Sequence, residues 1–181
     1  MKTVVAALAA TLALGHVASA GTYVGLAVGP GLDTSGDANY TSTDRDGKLL
    51  LGFSFGPISV EGGALRGSIA PSNGGLGYDL TQLSVAAKYN VPLAEGFEAF
   101  GRAGFQRTSL SGQSSADMGN HDSDGTGLLL GLGVEYRINL VATQASVFVD
   151  YNFASTKLNG PAVTDLSLQT RGFMLGATVG F

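Results

Sequence analysis

One tripeptide in this 181-residue chain carries the side chains of a hydrolase, His121-Asp122-Ser123. An imidazole within hydrogen-bond reach of a hydroxyl can take its proton and turn it into a nucleophile. The surroundings argue against that use. The pair sits in a Ser-, Gly- and Asp-rich stretch with no apolar strand residues to fix its geometry. Glu135, a carboxylate that could orient the imidazole, lies far down the following strand at about 3.3 Å per residue. The same stretch offers oxygen ligands in Asp117, His121, Asp122 and Asp124, and Asp122-Ser123-Asp124-Gly125 matches part of a calcium loop but lacks its later bidentate Glu. Asp33, Asp37, Asp44 and Asp46 form a second acidic group of the same kind. Both groups are read as solvated loops. With no cysteine in the chain, thiolate metal sites and disulfides are excluded. Neither an enzyme nor a cofactor is expected.

A second set of charged residues has a different setting. Glu61, Lys88, Glu98, Arg102, Glu135, Arg137 and Asp150 all fall on the polar side of segments in which apolar residues recur at every second position. Four acids stand against three bases. Such near-balance suits an interior in which each charge has a partner, because burying an ion is tolerable only with a counter-charge and hydrogen bonds. Composition points the same way. Charged residues are 13% of the chain, about half the typical share, and 28 glycines are about twice it. The missing quantity is charge at the surface. A net charge of -4 also argues against a nucleic-acid partner, which needs clustered Lys and Arg.

The elements that must hold these charges are strands. Residues 1–20 have a basic start, a short apolar middle and an Ala-Ser-Ala end, which reads as a secretory signal cut between Ala20 and Gly21. Residues 21–181 then form one domain of eight period-two strands. Short connections at Gly56-Pro57, 92–96 and 139–142 alternate with long ones at 30–46, 68–78, 109–126 and 155–165. Pairings that keep the apolar faces together place Phe55 opposite Ile58, Val91 opposite Phe97 and Ile138 opposite Thr143. The polar face is rich in glycine, which a water-facing sheet would penalise. Small residues beside a few long charged ones suit the crowded lumen of an eight-stranded barrel. Tyr89, Phe97, Tyr136, Phe55 and Phe181 gather at the short-turn end, and Phe105, Phe153 and Phe173 toward the long loops, as interfacial aromatic girdles would. The fold expected is therefore all-β: an eight-stranded antiparallel up-and-down transmembrane β-barrel with its apolar face outward.

The carboxyl end, Gly176-Ala177-Thr178-Val179-Gly180-Phe181, resembles the terminal strand of bacterial outer-membrane proteins, with Met174 where that pattern usually has a polar residue. Strand count, charged lumen and long loops resemble small barrels of the OmpA and OmpX type, with relatives among opacity-like, porin-like and Ail-like surface proteins. The resemblance implies a Gram-negative outer membrane, and recognition of Gly176, Val179 and Phe181 by the barrel-assembly machinery. It also implies lipid and lipopolysaccharide as surroundings; a second reading of Asp33, Asp37, Asp44 and Asp46 is that divalent cations bridge them to lipopolysaccharide phosphates. A monomer is expected, serving as non-enzymatic envelope support that presents its loops. Two alternatives stay open. One is an adhesin, for which the loops offer little beyond Tyr40, Arg45, Tyr78 and Lys157. The other is a lipid A-modifying enzyme, because deacylases of this class carry a His-x-Ser pair near the outer edge of the wall.

Overall fold

A computed structural model describes residues 21–36, 40–42, 44–71, 77–112, 123–139, 143–160 and 163–181. The signal segment and the side chains of Asp37, Asp117, His121 and Asp122 lie outside these, so the hydrolase and calcium readings have no described geometry. Eight long strands form a wall: β1 (Gly21–Gly29), β4 (Asp46–Phe55), β5 (Ile58–Pro71), β6 (Tyr78–Ala94), β7 (Phe97–Gly112), β8 (Ser123–Asn139), β9 (Gln144–Gly160) and β10 (Val163–Gly180). Two short strands, β2 (Asp33–Gly36) and β3 (Tyr40–Ser42), follow β1 and pair with β10 and β5. All neighbours are antiparallel and β1 closes on β10. The chain is thus a closed eight-stranded antiparallel barrel.

Register fixes how the wall leans. The line of paired residues from Gly176 on β10 runs through Ala27, Lys48, Leu65, Gln82, Thr108, Gly125 and Leu158 and returns to β10 at Leu166. One circuit therefore climbs ten residues along β10. Strands in such a barrel must tilt, and residues at one height step back from the pairing line by about 1.25 residues per strand.

Two registers differ from the sequence-based expectation. Val91 pairs with Ala99, and Ile138 with Ala145. Each is a slip of two residues, which leaves every side chain on its proper face; period-two alternation therefore cannot detect it. At the 92–96 connection turn chemistry decides instead. Strand β6 runs on through Pro92 to a bulge and a two-residue turn at Glu95-Gly96, where Gly96 has φ 75°. At the neighbouring turn Gly56, φ 63°, brings Phe55 opposite Ile58.

The strands are also longer than the apolar pattern suggested. β8 has 17 residues, which at about 3.3 Å each and a tilt of about 40° rises about 40 Å. An outer-membrane apolar band is about 25 Å tall. The excess lies at the long-loop end, so much of 68–78, 109–126 and 155–165 is wall.

Outward residues are apolar and exposed, with Phe105 at 72%, Leu132 at 71% and Phe173 at 61%. Arg102 and Glu135 are buried inside, at 5% and 3%. Aromatic contacts on the outer face include Phe97 with Tyr136 near the short turns and Tyr151 with Phe173 nearer the loops.

Candidate functional site: a layered lumen

The interior is stacked in layers, each set by which inward-facing residue the strands present at that height. Nearest the short turns, Arg137 on β8 pairs through Nη2 with Glu98 on β7 at 2.9 Å and through Nε with Glu135 Oε1 at 2.9 Å. Above them Lys88 Nζ meets Glu135 Oε2 at 2.5 Å and stands 3.9 Å from Glu61. Arg102 bridges Glu61 at 2.9 Å and Asp150 at 2.6 Å, joining β5, β7 and β9 across the lumen. All seven charged residues singled out from the sequence are brought into this one network.

Neutral residues complete it. Tyr23 donates its hydroxyl proton to Glu61 Oε1 at 2.5 Å, and the Asn90 amide donates to Glu98 and Glu135 at 2.7 and 2.5 Å. Asn152 donates to Asp150 Oδ1 at 2.9 Å. The Phe100 ring lies under both cations, 4.3 Å from Lys88 Nζ and 5.3 Å from the Arg102 guanidinium carbon, and meets Phe148 edge-on. Each contact supplements the Coulomb attraction that has to offset desolvation. Glycines leave room for the rings: a Cβ at Gly52 would strike the Tyr23 ring, and one at Gly133 or Gly176 would strike Phe100 or Phe148.

Lys48, buried at 7%, was missed because the first strand of that hairpin was started at Leu50. Extending the alternation one residue pair upstream would have found it. With Lys48 and the buried, inward-facing Asp46 counted, the lumen holds five acids and four bases among the described residues. Lys48 lines a small cavity of about 20 Å³ with Gln82, Gln106, Asn152 and Thr170, about the room one buried water needs.

Above the ions comes an amide and hydroxyl layer. Gln82 donates to Thr170 at 3.2 Å, and Gln106 to Thr108 and Thr156 at 3.1 Å each. Topmost is an aliphatic layer, Ile69, Leu80, Leu110, Leu158 and Leu168, none more than 4% exposed. These positions fall in or beside stretches taken as loops, and Tyr78 packs against the cluster and does not stand out in a loop.

Among the described residues no three acidic or histidine side chains are grouped to hold a metal. A polar vestibule of about 370 Å³ opens at the short-turn end, lined by Ser54, Ser59, Lys88, Glu135, Arg137 and Thr178 among others. The carboxylates in the ion layer each face at least one cation, an arrangement that holds charge in place. Gly176, Val179 and Phe181 sit on the closing seam, where Val179 pairs with Val24 and the Phe181 amide donates to the Thr22 carbonyl.

Comparisons with known proteins follow the same architecture. The sequence model of the family described as outer membrane protein beta-barrel domain matches residues 3–181. Neisserial surface protein A superposes with a TM-score of 0.63 at 15% identity, covering 89% of this chain and 97% of that one. Ail of Yersinia pestis, solved with the heparin analogue sucrose octasulfate, gives 0.57 at 19% identity over 90% and 99%. OprG of Pseudomonas aeruginosa gives 0.51 at 18% over 92% and 98%. No curated protein sequence matches the chain.

Proposed function

The chain belongs to the outer membrane protein β-barrel family, and from that premise we propose that it is a non-enzymatic envelope barrel, secreted by residues 1–20, that braces the outer membrane and presents its loops outside. The layered lumen carries this reading. Ion pairs, amides and aliphatic side chains successively fill the path a solute would take, so the barrel serves as a wall element and not as a conduit. Its last strand, through Gly176, Val179 and Phe181, is the part offered to the assembly machinery. Lipid and lipopolysaccharide surround it, and it works as a monomer.

Reconstitution in planar bilayers tests the sealed lumen: no discrete ion-conducting steps are expected, and well-resolved steps of uniform size would overturn it. Lipid A compared between cells carrying the wild type and His121→Ala tests the enzymatic alternative; identical lipid A is expected.

A second reading, an adhesin of the Ail or opacity type, draws on Arg45 and Lys157, both exposed at the loop end, and on the sulfated sugar bound by Ail. Retention on immobilised sulfated sugar, lost in Arg45→Ala with Lys157→Ala, would favour it over a purely structural role.

A further inference from the structure

Every lysine and arginine beyond residue 20 has one of two placements. Lys48, Lys88, Arg102 and Arg137 are inside the barrel. Arg45, Arg66, Arg107, Lys157 and Arg171 are exposed on the outer surface at the loop end. None faces outward within the apolar band. Allowing for the ten-residue climb of the wall, Arg66 on β5, Arg107 on β7 and Arg171 on β10 fall within about one residue of a common height, with Lys157 about three residues higher. This is the upper edge of the apolar band, where an outer-leaflet lipid turns from acyl chain to headgroup.

Below three of these cations the wall is not smooth. An apolar groove of about 960 Å³ runs diagonally across β6 to β9. Its floor is Ala87, Gly101 and Ala103, and Leu132, Tyr151 and Phe153 form its flank. Phe153, at its upper end, is the register partner of Arg171. Arg107 stands four residues above Ala103 on β7, and Lys157 four above Phe153 on β9; Thr126 pairs with both Arg107 and Lys157.

We propose that this face binds one acylated, phosphorylated lipid of the outer leaflet, an acyl chain in the groove and phosphate held by Arg107, Lys157 and Arg171. Charge complementarity favours that occupant. A guanidinium matches phosphate oxygens bidentately, and the cations sit directly over a slot that takes hydrocarbon. Carboxylates compete without closing the site: Asp124 pairs with Arg107 at 2.6 Å, but both side chains are more than half exposed, and Asp33 lies beside Arg171 in register. An exposed pair of that kind is weak. The proposal rests on the barrel lying in a membrane, which fractionation of cells that make it checks separately, with heat-modified gel mobility showing that the refolded samples are closed barrels.

The test is native mass spectrometry of the refolded barrel in neutral detergent. The probes are lipid A, the same lipid stripped of phosphate, and sucrose octasulfate as a polyanion without acyl chains. Wild type is expected to retain lipid A over both other probes. Arg107→Gln with Arg171→Gln should weaken retention roughly tenfold, equivalent to about 1.4 kcal/mol. Gly101→Leu should weaken it similarly by filling the groove, and it is expected to fold, since a Cβ there meets only Leu132 Cδ2 at an ordinary 3.6 Å. Asp124→Asn should strengthen retention by freeing Arg107, and Arg66→Gln, away from the groove, should leave it unchanged. Equal retention of the phosphate-free lipid, retention untouched by the double variant or by Gly101→Leu, preference for the sulfated sugar, or a dimer in place of the lipid adduct would each overturn the proposal.

Discussion

Arg102 is held by carboxylates from two other strands and lies over an aromatic ring, so its removal strands Glu61 and Asp150 in a closed interior. Arg102→Ala, or Glu135→Ala on the other side of the network, is expected to destabilise the barrel by about 3–5 kcal/mol, read from urea unfolding followed by heat-modified mobility. Unchanged midpoints would mean that these groups are solvated. The seven network charges were legible because a charge on an alternating strand inherits that strand's parity. Tyr23 and Lys48 were not read as partners, since nothing in spacing along one strand says which side chains meet across a lumen.

Hairpin turns set what the strands alone leave open. Gly56 and Gly96 adopt left-handed φ values of 63° and 75°, a conformation that costs an ordinary residue about 1–2 kcal/mol. Gly56→Ala, whose Cβ would enter open space, should lose only that amount, whereas Gly96→Ala should lose more because its Cβ would come within 2.6 Å of the Tyr136 ring. Comparing the two unfolding midpoints checks the difference, and equal losses would remove the steric part of the explanation. The aliphatic layer belongs to this scale as well, because it exists only where strands continue beyond the membrane. Leu158 is completely buried, and Leu158→Ala is expected to cost about 2–5 kcal/mol through transfer and cavity effects. Loop assignment from composition failed here for a definite reason. Ser, Gly and Asp on the outward face of a strand that has left the bilayer look like loop residues, while the leucines on its inward face are too widely spaced to advertise a strand.

For the molecule as a whole, the governing feature is inversion: hydrocarbon-compatible side chains outside, charge inside. A basic side chain placed on the lipid face should therefore be costly where one in the lumen is native. Leu132→Arg, at a position 71% exposed, is expected to lose about 2–4 kcal/mol if it lies near the bilayer midplane, measured by refolding into vesicles against urea; a loss near zero would place that surface in water. The chain's own alternation determined the strand count, the two faces and the charged set, because a sheet with one apolar face repeats every two residues whatever it packs against. Only the tertiary structure decided the two-residue register slips, the pairing of particular charges, the aliphatic layer and the groove beneath the outer arginines. Those depend on the stagger of the closed wall, which sets the heights at which distant strands present their side chains, and a period of two is blind to any even shift along a strand.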